Sequence, residues 1–196
     1  MSIIILNRKR LGVTIIVLGL MLVLVGIEIS LSHRLKTTVL IQNGFANLKQ
    51  YTIEDSGLTY KLPDSWETSR QDLGGGDIIY HNNFIYTDGN VHGFIQLWNS
   101  KGKDLKSFID SGKSSAYKSD QISNYEYKPI TIKDNKAYLL TYNAKTSSGK
   151  DMKAIEYFID SGKDFFRMAF FVPSDKYKEN MPAIFDAIVN TYEKTQ

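Results

Sequence analysis

Polar and apolar residues change their spacing several times along this chain, and each change marks a different kind of element. The first is the plainest. From Leu11 to Ile27 the run LGVTIIVLGLMLVLVGI carries no charge, and its seventeen residues make a helix of roughly 26 Å. Continued to Leu31 it reaches roughly 31 Å, about the thickness of a bilayer's hydrocarbon layer. A helix satisfies its own backbone there, as lipid requires. Glu28 falls in the last turn, within reach of the headgroups. The run outlasts a signal-peptide core, and its exit, Ile27-Glu28-Ile29-Ser30-Leu31, offers no small-residue cleavage site. Leu11 to Leu31 is therefore expected to remain in the lipid bilayer as a signal anchor.

Arg8, Lys9 and Arg10 precede this segment, which places residues 1–10 in the cytoplasm by the positive-inside rule. Arg34 and Lys36 at the other end reduce the bias without reversing it. Residues 32–50 are mixed in character and broken by Gly44, and read as a stalk. Residues 51–196 are then expected as one folded domain outside the cell membrane.

Inside that domain the period falls to two. Tyr51–Leu62 alternates around the turn Asp55-Ser56-Gly57, and Pro63, with no N–H to donate, ends the ladder. After the flexible break Gly74-Gly75-Gly76, strands at Ile78–Tyr86 and Val91–Trp98 flank Asp88-Gly89, a strong hairpin signal. From Lys103 to Tyr117 the period lengthens: Leu105, Phe108, Ile109 and Gly112 share one helical face, with Asp104 near the start. Strands follow at Tyr125–Ile132, Ala137–Ala144, Lys153–Ile159 and Phe165–Val172, with turns at Asp134-Asn135 and Asp160–Lys163. A closing helix carries Met181, Ile184, Phe185, Ile188 and Tyr192 as one apolar stripe.

Two strands settle the layering. Val91–Trp98 offers Val91, Ile95 and Leu97 on one face and Phe94 and Trp98 on the other, and Phe165–Val172 is apolar at nearly every position. Such strands are covered on both sides. The expected fold is α+β: a three-layer α/β/α sandwich around an antiparallel sheet, preceded by one transmembrane helix. The hexapeptide FIDSGK occurs twice, at Phe108–Lys113 and Phe158–Lys163, once in a helical and once in a strand pattern. Its neighbours differ, so it is a coincidence and not a duplication.

Charge changes the picture little. Taking Arg8, Lys9 and Arg10 from 24 basic residues and Glu28 from 21 acidic ones leaves 21 against 20, a net of about +1. Without a concentrated basic face, no nucleic-acid partner is expected. The absence of cysteine removes disulfides, thiolate chemistry and a lipid-modified cysteine anchor together.

Candidate chemistry is thin. His33 lies in the stalk. A hairpin closed at Asp88-Gly89 sets Ile85 opposite His92 and Gln96 opposite His81. The two histidines then share a face about 13 Å apart, too far to hold one zinc ion between them. The triple glycine precedes a strand, not the helix a phosphate site needs. Ser-Gly-Lys triplets lack the first glycine of a P-loop. Ser-x-x-Lys pairs, as at Ser100 and Lys103, come without the companion motifs of a hydrolase. No cofactor, metal or catalytic residue is assigned, and no enzyme is expected. Four aromatics, Trp66, Trp98, Tyr125 and Tyr127, form the candidate ligand or partner surface.

Tyr60-Lys61-Leu62-Pro63-Asp64-Ser65-Trp66 resembles the strand, Leu-Pro and Trp opening of the PsbP/Mog1-like superfamily. The later order of helix, hairpins and closing helix is similar to it as well, over Tyr51–Glu193. The resemblance implies a PsbP-like domain that binds or assembles and does not catalyse, as in photosystem accessory proteins and anchored bacterial surface proteins. A membrane-tethered module whose partner is another membrane or surface protein is the leading expectation. A small-molecule or glycan receptor, or an immunity-type protein against an exported toxin, are the alternatives.

Overall fold

The computed structural model describes Leu18, Met21 and residues 38–194, apart from residues 43, 74, 75, 87, 117, 119 and 120. The expected membrane span, Leu11 to Leu31, lies outside the described residues except for Leu18 and Met21, both helical. Among the described residues no helix is long and apolar enough to cross a membrane.

Among the described residues from Leu48 onward, ten strands and two helices follow in the order β1 (Leu48–Ile53), β2 (Leu58–Pro63), β3 (Trp66–Arg70), β4 (Ile78–Tyr86), β5 (His92–Asn99), α1 (Leu105–Ala116), β6 (Ile122–Ile132), β7 (Asn135–Lys145), β8 (Asp151–Asp160), β9 (Asp164–Pro173), α2 (Met181–Val189) and β10 (Glu193–Lys194). Seven of them form one antiparallel sheet in the order β3-β4-β5-β9-β8-β7-β6, and β1-β2-β10 form a second sheet. The large sheet is thus two meanders, β3–β5 and β6–β9, sewn together where β5 pairs with β9.

Local chemistry explains the boundaries. Asp104 caps α1, its carboxylate accepting the backbone N–H of Lys106 at 2.9 Å and of Ser107 at 3.2 Å. Lys133 and Asp134 both adopt positive φ, 45° and 66°, and close the β6–β7 hairpin with Ile132 opposite Asn135. The turn therefore sits one residue earlier than Asp134-Asn135. The Asp88-Gly89 register is as expected, with Ile85 opposite His92 and His81 opposite Gln96. Two short strands carry too weak a pattern to be anticipated: β3, directly after Pro63, and β10.

The expected helix layer holds on one face only. Leu105, Ile109 and Ala116 of α1 pack with Tyr138, Leu140, Phe158 and Phe165 of the sheet. On the opposite face α2 shares the cover with the small sheet, so the third layer is mixed. The reason is the β1–β2 hairpin: Ile53, Leu58, Tyr60 and Leu62 make one face fully apolar, and they bury it against Ile95, Phe166 and Met168. Such burial is worth about 1.5–3 kcal/mol per side chain, so the hairpin leaves the main sheet to lie across it.

The stretch expected as a stalk, residues 32–50, belongs in part to the folded unit. Residues 38–42 are helical, Leu40 is buried in the core, and Phe45 and Leu48 pack against it. Phe45 meets Trp66 edge-on at 5.8 Å. Apolar side chains within reach of an open core edge join it.

Gly93 marks the joint between the meanders. It pairs with Phe84 on one side and Phe170 on the other, and a Cβ there would collide with the Ala169 carbonyl oxygen and come within 2.6 Å of the Phe84 ring. Backbone cannot yield as a side chain does. Gly93→Ala is expected to lose about 3 kcal/mol or more of stability, read from the urea midpoint by tryptophan fluorescence. A midpoint equal to wild type would show the joint to be looser than this packing requires.

Candidate functional site

The α1-covered face of the large sheet carries a row of polar side chains that begins where the helix ends its cover. Gln96 of β5 lies at the centre. Its Oε1 accepts the Trp98 indole N–H at 2.8 Å and an Arg167 guanidinium N–H at 3.3 Å. Both of those groups only donate, so this oxygen is fixed as oxygen and the Gln96 amide nitrogen must donate to His81 Nδ1, at 2.9 Å. The proton of His81 is then on Nε2, which donates to Asn83 Oδ1 at 3.0 Å. One amide orientation determines one histidine tautomer.

On the other side of Gln96 the row carries charge. Arg167 of β9 donates through Nε and a terminal nitrogen to Glu156 Oε2 of β8, at 2.8 and 2.7 Å. Tyr142 of β7 donates to Glu156 Oε1 at 2.6 Å. Glu156 is 1% exposed and the Arg167 side chain 21%. The guanidinium lies over the rings of Phe94 and Phe158, at 4.8 and 5.2 Å. Burial and the Glu156 charge push the Tyr142 phenol well above the ordinary phenol range. The same two causes push Tyr125, stacked on Tyr142 at 5.7 Å, up to about 12. Both stay protonated near neutral pH, and the row runs over five neighbouring strands, β4, β5, β9, β8 and β7.

Beyond the row, away from α1, none of the described elements covers the face, and aromatic and aliphatic side chains stand there among Asn83 and the two imidazoles. Phe94 and Phe171 are half-buried and touch at 5.8 Å. His81 tilts against Phe94 at 5.6 Å and His92 stacks on Phe171 at 5.7 Å. Ile85, 42% exposed, completes the patch. Burial, and to a lesser extent the Lys150 charge, hold the His92 imidazole below its ordinary range. On the helix side of the row a groove of about 310 Å³ runs between Gly112 and Ala116 of α1 and Tyr125, Tyr142 and Arg167 of the sheet.

The structure divides the four candidate aromatics. Trp98, Tyr125 and Tyr127 come together around α1: Trp98 stacks on Phe165 at 5.8 Å, and the Tyr127 hydroxyl donates to Asp110 at 2.6 Å. Trp66 lies on the opposite face, buried against Phe84 and Phe170. Sequence reasoning missed Gln96, Arg167, Glu156 and Tyr142. A signal existed: Glu156 and Arg167 are single charges inside the apolar runs AIEYFI and FFRMAFF, on strands joined by one tight turn.

The PsbP family profile matches residues 46–185, well over half of the chain. The chain belongs to the PsbP family. Cyanobacterial PsbP (CyanoP) from Synechocystis sp. PCC 6803 superimposes with a TM-score of 0.58 at 10% identity, over 78% of this chain and 95% of that one. LpqN, involved in cell envelope biogenesis of Mycobacterium tuberculosis, gives 0.50 at 13% identity, over 74% and 90%. A Bacteroides thetaiotaomicron protein gives 0.53 at 14% identity, over 76% of this chain and 48% of its own. At such identities these likenesses concern the PsbP-like fold alone. No curated protein matches by sequence. In this PsbP-family chain the opening motif, Leu62-Pro63 to Trp66, is the corner where β2 of the small sheet passes into β3 of the large one.

Two predictions follow from the row and its margin. Arg167→Met strands the buried Glu156 carboxylate and is expected to lose about 3–5 kcal/mol, measured by urea unfolding. Adding Glu156→Gln, which keeps an acceptor for Tyr142, should restore more than half of it; equal losses in both variants would show the pair to be unimportant. For His92 the folded imidazole binds its proton less readily than the unfolded one. Its stabilising contribution is thus complete above the ordinary imidazole range and lost as pH falls through the folded value. Thermal scans of His92→Gln should accordingly show less loss of melting temperature on acidification than wild type, and an identical slope would refute this.

Proposed function

We propose that the chain is a membrane-tethered, non-catalytic binding or assembly module, held by Leu11 to Leu31 with its PsbP-like domain outside the cell membrane. The reading draws on the anchor pattern of the sequence and on membership of the PsbP family. The observation that carries it is the half-face beyond the polar row. Phe94, Phe171, His92 and Ile85 form an apolar and aromatic patch there, on rigid strands, with its edge fixed by hydrogen bonds. Aromatic side chains so placed give contact area at little entropic cost.

The partner is another membrane or surface protein. A tethered domain meets it at high local concentration, so a modest contact area is enough. The buried row supports the patch without chemistry of its own: Glu156 and Arg167 answer each other, and both nitrogens of His81 are taken by Gln96 and Asn83.

A photo-cross-linking residue at Phe94 or Phe171 of the full-length protein tests this in native membranes. The expected outcome is one dominant heterologous adduct in the detergent-extracted fraction, lost in Ile85→Glu. Recovery of the unprocessed chain from the aqueous fraction would remove the tether, and adducts at random surface positions equal to those at Phe94 would remove the patch.

A further inference from the structure

On the other face of the sheet a buried donor stands without a partner. Trp66 is 4% exposed, and its indole N–H is the one buried side-chain polar atom among the described residues that makes no hydrogen bond. A donor left so forfeits about 1–3 kcal/mol, and native structures leave few. The indole ring itself is firmly held, stacked on Phe84 at 5.0 Å and edge-on to Phe170 at 6.4 Å.

Trp66 also forms part of the wall of a cavity of about 500 Å³. The cavity opens between the β4–β5 loop, the loop before α2 and the first turns of α2. That volume falls within the range of sites for small organic molecules, roughly 300–1,000 Å³. Its inner wall is aromatic and aliphatic, with Phe45, Tyr86, Val91, Ile184 and Phe185 beside Trp66. Its rim sets Asp88 and Asp175 against Lys176 and Lys178, two charges of each sign, so it favours neither an anion nor a cation.

We propose that this cavity binds a small neutral aromatic molecule whose carbonyl oxygen accepts the Trp66 N–H. The ring of the ligand replaces water against the aromatic wall, and its oxygen supplies the acceptor that the wall lacks. The N–H is shielded from solvent at the cavity wall, so the ligand's oxygen reaches it by displacing Phe45. Phe45 is half-buried, lies edge-on to Trp66, and sits on the segment before β1 and not within a sheet. The site is on the opposite face from the patch assigned to a protein partner, and neither depends on the other.

The test uses the full chain in lipid nanodiscs with nitrogen-15 tryptophan. The sequence has two tryptophans, so two indole signals appear, and Trp98→Phe assigns them. Titration with benzamide is expected to move the Trp66 signal downfield to saturation and leave Trp98 in place. Toluene, with the ring but no acceptor, should bind about tenfold more weakly, the worth of one hydrogen bond. Met181→Phe, which narrows the cavity from α2, should weaken benzamide by a similar factor. The proposal is overturned by a shift that does not saturate, by toluene equalling benzamide, or by unchanged benzamide binding in Met181→Phe.

Discussion

Everything in the large sheet depends on the pairing of β5 with β9. The two strands are some seventy residues apart in sequence, and each closes a meander that has no other partner on that side. Closing so long a loop costs entropy before any contact rewards it. The return is a sheet seven strands wide, on which both cores are built. Gly93 permits the approach, Phe166, Met168 and Phe170 bury one side of it, and the Gln96–Arg167 hydrogen bond ties the other.

That last bond shows how one strand serves two environments. β9 is apolar toward the small sheet and α2, with four side chains fully buried from Phe166 to Val172. Toward α1 it carries Phe165 under the helix, then Arg167, then Phe171 in the half-open patch. A charge at Arg167 is tolerable because Glu156 and Gln96 answer it in a place where water is largely excluded. Replacing the row with leucines would extend the apolar core and erase the boundary between covered and uncovered sheet.

Much of this fold is legible in the sequence because period is a direct record of burial. The alternation in Tyr51–Leu62, the Asp88-Gly89 hairpin and the double-sided Phe165–Val172 strand each lead to the observed register. What is not legible is tertiary choice. Nothing local says that the β1–β2 hairpin leaves the main sheet, or that Leu40 and Phe45 turn back into the core. The hexapeptide FIDSGK makes the point: Phe108–Lys113 lies in helix α1, while Phe158–Lys163 ends β8 and turns. The two phenylalanines then pack together at 6.1 Å. The candidate site was only half visible for the same reason. Aromatics announce themselves by size, whereas Gln96 and Tyr142 matter through neighbours that only the register supplies.

The fixed amide of Gln96 has a consequence for signalling across the sheet. Trp98 can only give a proton, and it is held from above by Phe108 of α1, 5.3 Å away. Its gift and that of Arg167 decide which way Gln96 faces, Gln96 decides which imidazole nitrogen of His81 is bare, and that decides what Asn83 receives. The polarity of the whole line is thus set at Gln96, by Trp98 on β5 and Arg167 on β9 together. A tilt of α1 that freed Trp98 would loosen that choice, and the effect would be felt on β4, five strands from β6 and next to the sheet's opposite margin.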